Sequence, residues 1–162
     1  MITGGVITVS DKGSRNERED TSGPEVIRML GDLDIRVTDY EVIPDEKEII
    51  RDKIKEYTDN KNLDLVVTTG GTGVSPRDVT PDATLEIIEK ELPGMAEAMR
   101  RESMSKTPHA MISRAVTGIR GQSLIINLPG SPKGARENLA VLLPALKHTI
   151  EKLKGDMSDC GG

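Results

Sequence analysis

Residues 68–82, Thr-Thr-Gly-Gly-Thr-Gly-Val-Ser-Pro-Arg-Asp-Val-Thr-Pro-Asp, hold the densest set of groups suited to chemistry in this chain. Gly70, Gly71 and Gly73 surround Thr72. Glycine admits positive φ and lets a ligand come close to the backbone. Amides beyond a strand end and at a helix N-terminus suit an anion. Arg77 adds a planar positive fork, and Asp78 beside it offers oxygen to a metal ion, so a phosphate-bearing substrate is the natural reading. Asp11 and Asp45 follow other predicted strands, and acids from two loops can hold a Mg2+ ion between phosphates. Spacing alone does not bring them together, and each has a plainer role. Asp45 reads as a helix N-cap worth about 1 kcal/mol. Asp78 can bond its own turn, Asp82 can face a helix dipole, and Asp11 can start a turn. The run Asn127-Leu128-Pro129-Gly130-Ser131-Pro132-Lys133 starts a helix, or else holds an anion through Ser131, free amides and Lys133. Ser113-Arg114 reads equally as solvated surface. No Walker A or G-x-G-x-x-G pattern occurs, so any nucleotide is held by other means. His109 and His148 lack metal-binding spacing.

The elements that must position these groups alternate. Residues 6–10 form an apolar strand, followed by a charged loop over 12–21. Ser22-Gly23-Pro24-Glu25 has the form of a capping box, opening a helix with Val26, Ile27, Leu30 and Leu33 on one face. A second strand spans 35–43, and a helix after Asp45 carries Ile49, Ile50, Ile54 and Tyr57. Leu63 to Thr69 is the third strand. Thr80-Pro81 caps a helix with Leu85, Ile87 and Ile88 inward, and Pro93-Gly94 starts another through about Met104. Residues 116–119 suggest an edge strand, and 123–128 a buried one. Ser131 then caps a helix with Leu139, Leu142, Leu143, Leu146, Ile150 and Leu153 in its stripe, and Pro144 should kink it. Alternation of this kind implies a three-layer α/β/α fold with a mainly parallel sheet. Ligands then bind beyond the carboxyl ends of the strands, where the loops after Val9, Ile43, Thr69 and Leu128 would meet.

The 162 residues suit a single domain over 1–155, with 156–162 a flexible tail. A formal charge of −5 argues against a general nucleic-acid surface, and two Tyr without Phe or Trp remove stacking platforms for single strands. No apolar run approaches a membrane-spanning length and no signal peptide is evident, which points to a soluble, cytoplasmic protein. Cys160 is the only cysteine, which excludes an intrachain disulfide and a thiolate zinc site.

Six motifs taken in order, Val9-Ser10-Asp11, Ile43-Pro44-Asp45, Thr69-Gly70-Gly71-Thr72-Gly73, Arg77-Asp78-Val79-Thr80-Pro81, Ser113-Arg114 and Asn127 to Pro132, closely resemble the molybdopterin-binding MogA/MoaB family. The chain also looks like the matching domain of gephyrin and of the plant molybdenum-insertion protein. The resemblance covers roughly residues 5–154. It implies a trimer and adenylyl transfer from ATP to the terminal phosphate of molybdopterin, with Mg2+. Carried over by position, it makes Asp45 and Asp78 catalytic and Mg2+-linked. It places Gly70, Gly71, Thr72 and Gly73 beside nucleotide and pterin. Ser10, Asp11, Ser113, Arg114, Pro129, Gly130 and Ser131 then line the cleft. Metal insertion would fall to a separate downstream protein. A non-catalytic module that binds or delivers the pterin would use the same loops. The methionine-rich segment around Met95, Met99, Met104, Met111 and Ile112 is the expected subunit contact, with an intrachain core as its alternative.

Overall fold

A computed structural model describes residues 1–158; residues 159–162, with Cys160, lie outside the described residues. The chain folds as β1 (Ile2–Val9), α1 (Asp11–Ser14), α2 (Ser22–Gly31), β2 (Ile35–Ile43), α3 (Lys47–Lys55), β3 (Leu65–Thr69), α4 (Thr80–Ile87), β4 (Lys90–Glu91), α5 (Pro93–Met104), β5 (Thr117–Arg120), β6 (Ser123–Leu128) and α6 (Pro132–Leu153). The six strands form one sheet in the order β2-β1-β3-β6-β5-β4. The first four run parallel, and β5 and β4 close the sheet antiparallel. Residues 116–119 therefore give a strand that is not the edge, because the two-residue β4 pairs outside it.

Alternation along the strands sorts side chains into two layers. Val6, Leu65, Val67, Leu124 and Ile126 pack with α2, α5 and α6. Ile7, Val9, Val66 and Ile125 pack with α3 and α4. β3 and β6 are buried along their whole length, as strands covered on both faces must be. On α6, Leu139, Leu142, Leu146 and Ile150 are at most 3% exposed. Burying each stabilises by about 1.5–3 kcal/mol. Their sum outweighs the roughly 3 kcal/mol that Pro144 costs inside a helix, and α6 remains one element across it.

Several local expectations need correcting. Ile49 and Leu85 are 43% and 50% exposed, so α3 and α4 bury narrower stripes, with Ala83 and Thr84 beside Ile87 in α4. The segment 12–21 is partly helical at α1, and Ser10 rather than a loop residue caps it, accepting from the Gly13 amide at 3.0 Å. Ser22 makes no capping box; its hydroxyl donates to the Gly130 carbonyl at 2.6 Å, and Asp20 accepts the Gly23 amide instead. The α3 N-cap position is Glu46, not Asp45. Thr80 lies inside α4 and donates to the Gly70 carbonyl at 2.9 Å. Of the methionine-rich segment, Met99 is core at 1% exposed and Met95 packs against that core. Met104, Met111 and Ile112 are exposed.

At the amino ends of the strands, Met1 and Ile2 face Glu151, Lys154 and Asp156 across a shallow depression. The Lys154 Nζ there sits 3.3 Å from Asp64 Oδ1, and Asp64 also accepts the Thr3 amide at 2.9 Å.

Candidate functional site

At the carboxyl ends, the parallel strands open onto a cleft of about 780 Å3. Its walls come from the ends of β1 and β3, the turn after β6, the loop leading to α2, and Asp45. A second cavity of about 310 Å3 lies between the Thr72-Gly73 turn, the Ser113 segment and the helices α5 and α6. Of the residues singled out by sequence, Ser10, Asp11, Asp45, Gly70, Gly71, Gly130 and Ser131 meet in the larger cleft. Thr72, Gly73, Ser113, Pro129 and again Ser131 line the smaller one. Asp78 and Arg114 line neither wall directly; they build the loop between the two.

That loop starts from the end of β3. The Gly70 amide donates to the Leu128 carbonyl at 3.0 Å, and Gly70 and Gly71 adopt φ of 108° and 67°. These left-handed values favour glycine. A Cβ at Gly70 would also be driven onto the Val9 carbonyl oxygen, so β1 and β3 can close together only over a bare backbone. Further along, Asp78 accepts the Ser75 amide at 2.9 Å while its own amide returns to the Ser75 carbonyl, the self-bonded turn that its plainer reading described.

Asp11 and Asp45 are tied reciprocally. Asp45 Oδ2 accepts the Asp11 amide at 2.8 Å, and Asp11 Oδ1 accepts the Asp45 amide at 3.0 Å. Arg77 spans both loops, forking onto Asp11 with two 3.0 Å bonds and reaching Glu46 at 2.9 Å. This hydrogen bonding from Arg77 holds the Asp11 carboxyl below its ordinary range, against the opposing effect of burial. Asp45 shifts the other way. Burial pushes its carboxyl up, and the charges of Asp11 and Asp78 add to that, opposed by the Asp11 amide and by Arg77. Its second oxygen, Oδ1, has no hydrogen-bond partner among the described residues and faces Gly71, where a Cβ would stand only 3.2 Å away. A half-buried carboxylate with one unengaged oxygen and two acidic neighbours fits a hard divalent cation such as Mg2+, which accepts one or two carboxylates and takes its other ligands from water and phosphate. No group of three or more His, Cys, Asp or Glu among the described residues forms a protein-only cage.

Sequence reasoning missed the far wall. Asp20 accepts hydrogen bonds from Thr8 Oγ1 at 2.7 Å and from the Tyr40 hydroxyl, fastening the 15–21 segment over the end of β1. Burial, together with the Asp20 bond, pushes the Tyr40 phenol up to about 12. In the sequence, 12–21 read only as a charged loop and Ser22-Gly23-Pro24-Glu25 as a helix start, with no signal of a ligand wall.

An α/β domain with its cleft at the strand carboxyl ends, and with two acids tied together beside a glycine loop, is the class that this fold and site define. The chain belongs to the family described as the probable molybdopterin binding domain, whose profile matches residues 5–148. It is 47% identical over 156 residues to gephyrin of Dictyostelium discoideum, covering 90% of this chain but 22% of that protein. It is 41% identical over 154 residues to molybdopterin adenylyltransferase of Helicobacter pylori, covering 94% of this chain and 88% of the relative. Among solved structures, the molybdopterin biosynthesis enzyme MoaB from Thermus thermophilus superposes with a TM-score of 0.91 at 47% identity, covering 96% of this chain and 98% of that one.

Proposed function

We propose that this protein transfers the adenylyl group of ATP to the terminal phosphate of molybdopterin, as a step in molybdenum cofactor biosynthesis. The observation that carries the reading is the Asp45 carboxylate, held against Gly71 in the wall of the larger cleft with one oxygen unengaged. Similarity to an adenylyltransferase along most of the chain supports it. In the reaction, an oxygen of the pterin phosphate attacks the α-phosphorus of ATP. The bond to the bridging oxygen breaks, and pyrophosphate leaves with that electron pair. The attacking phosphate oxygen is already ionised at neutral pH, so the site needs no strong base; positioning and charge neutralisation carry the rate.

Mg2+, when bound, supplies neutralising charge to the phosphates, and Asp45 and Asp78 are the residues that would hold it. Asp45 presents its free oxygen while the Asp11 amide fixes its other one. Gly70 and Gly71 let phosphate approach the backbone. Ser10, Asp11, Gly130 and Ser131 shape the larger cleft, and Thr72, Gly73, Ser113 and Pro129 the smaller. The functional domain spans 1–155. The protein acts in the cytoplasm as a homotrimer and hands its product to a separate metal-insertion protein. Exposure of Met104 at 49%, Met111 at 64% and Ile112 at 51% supports a subunit contact there, and no described helix is long and apolar enough to cross a membrane.

Incubating the purified chain with molybdopterin, ATP and Mg2+ should yield adenylylated molybdopterin and pyrophosphate in equal amounts, and a chelator should stop both. Pterin binding without pyrophosphate release would replace the enzyme with a binding or delivery module. Light scattering tests the assembly, and the mass of one chain would remove the trimer.

A further inference from the structure

Arg114 is the most heavily engaged side chain near the two cavities, yet it lines neither. Its Nε donates to the Gly73 carbonyl at 2.8 Å and its Nη2 to the Asp78 carbonyl at 2.6 Å. The guanidinium also forks onto Asp82 in the first turn of α4, at 3.3 and 3.1 Å. These bonds pull the Asp82 carboxyl below its ordinary range. The Arg114 amide adds a bond to the Thr72 carbonyl at 2.8 Å. One residue thus grips the loop at both feet, Gly73 and Asp78, and pins the helix that follows.

The grip comes from a fixed base. Arg100 of α5 holds the Ala115 carbonyl at 3.0 Å, and the buried Asn127 side chain accepts the Val116 amide at 3.1 Å. Solvated surface, the plainer reading of Arg114, does not account for this set of bonds to one loop and the helix it leads into. A planar fork with fixed donors can bridge two carbonyls and a carboxylate at once; a lysine ammonium cannot match that geometry.

We propose that Arg114 is a positioning residue: it sets the Gly73–Asp78 loop, and through it the place of the Asp78 carboxylate, without touching substrate. The proposal rests on the adenylyl-transfer reading for its kinetic consequence and on the structure alone for the loop. Residues that orient ligand-bearing groups typically cost about 10–100-fold in activity when removed. Arg114→Ala and Arg114→Lys should therefore both lose about 10–100-fold in kcat, while KM for ATP moves by less than about threefold. Added guanidinium should restore part of the Arg114→Ala rate and none of the Arg114→Lys loss.

The test combines those kinetics with amide hydrogen exchange over 72–79, measured on the ligand-free chain. Exchange there should quicken in both variants while the β3 and β6 amides stay protected. Should Arg114→Ala fail to fold, Asp82→Asn loosens the same fork while leaving both carbonyl bonds in place, and must quicken the same amides. Unchanged exchange over 72–79, or kcat within about twofold of the parent, overturns the proposal. A joint fall in kcat and in melting temperature with no guanidinium rescue also overturns it, since that marks a merely structural residue. If the parent chain makes no adenylylated product, the functional reading falls, and the exchange arm still decides the role of Arg114.

Discussion

Replacing Asp45 by Asn should abolish most of the activity and make the fold more stable. Asn replaces Asp at a helix N-cap with little loss, and the α3 cap position belongs to Glu46 in any case. Burial and the charges of Asp11 and Asp78 work against the Asp45 charge, while the Asp11 amide and Arg77 favour it. The raised carboxyl means that the opposing forces win. Asn keeps the shape and an oxygen for the Asp11 amide while discarding the charge. Stabilising single substitutions commonly gain about 0.5–2 kcal/mol. For a chain of this length each kcal/mol shifts the melting temperature by about 2–4 °C. The pH dependence carries the sign. Below the unfolded carboxyl's ordinary value, the group is neutral in both states and parent and variant differ little. The gap opens as pH rises from there through the raised folded value, and it stays constant above. Thermal melts of both proteins from acid to neutral pH, with pyrophosphate release assayed in parallel, check both halves. A variant that melts lower than the parent at neutral pH would refute the reasoning, because the carboxylate would then be a net stabiliser. Full turnover would refute its role in the site.

Asp78→Asn should retain ATP binding by calorimetry and a near-parental melt, since Asn can still accept the Ser75 amide, while pyrophosphate release nearly stops; parental turnover would remove Asp78 from the chemistry. Gly70→Ala should cost about 2–6 kcal/mol in urea unfolding, from strain at positive φ and from overpacking against Val9, and an unchanged midpoint would show that the strands can part without penalty. Asn127→Leu leaves the Val116 amide without its acceptor inside the fold, so stability in urea unfolding should drop by about 1–3 kcal/mol at an unchanged slope. A parental midpoint there would mean that the amide finds another partner.

The layered fold was readable because periodicity reports burial directly: the apolar runs of β3 and β6 and the leucine stripe of α6 imply a sheet covered on both faces. Errors arose where a polar side chain bonds across the fold and not along the chain. Ser22 reaches Gly130 and Thr80 reaches Gly70, distances in sequence that no capping pattern encodes. Leu85 misled because apolar character does not say which face of a short helix turns inward. The site residues were legible as types and as strand-end positions. Their division between two cavities was not, since Thr72 and Gly71 are neighbours in sequence yet line different walls. The reciprocal bonds of Asp11 and Asp45 were equally hidden, being a property of two loops that only the sheet order brings together.

The depression shared by Ile2 and Lys154 bears on modularity. Both flanks of the domain leave from the amino ends of the strands, side by side and across the full depth of the sheet from the cleft. Sequence joined at either flank would extend away from the ligand rim and leave its loops unobstructed. Neighbouring flanks also make a domain tolerant of insertion into a larger polypeptide. The Dictyostelium gephyrin, of which this chain matches 22%, carries such a domain as one part of a far longer protein. This geometry gives a physical reason why one small catalytic-looking unit can be built into a long polypeptide without redesign of its site.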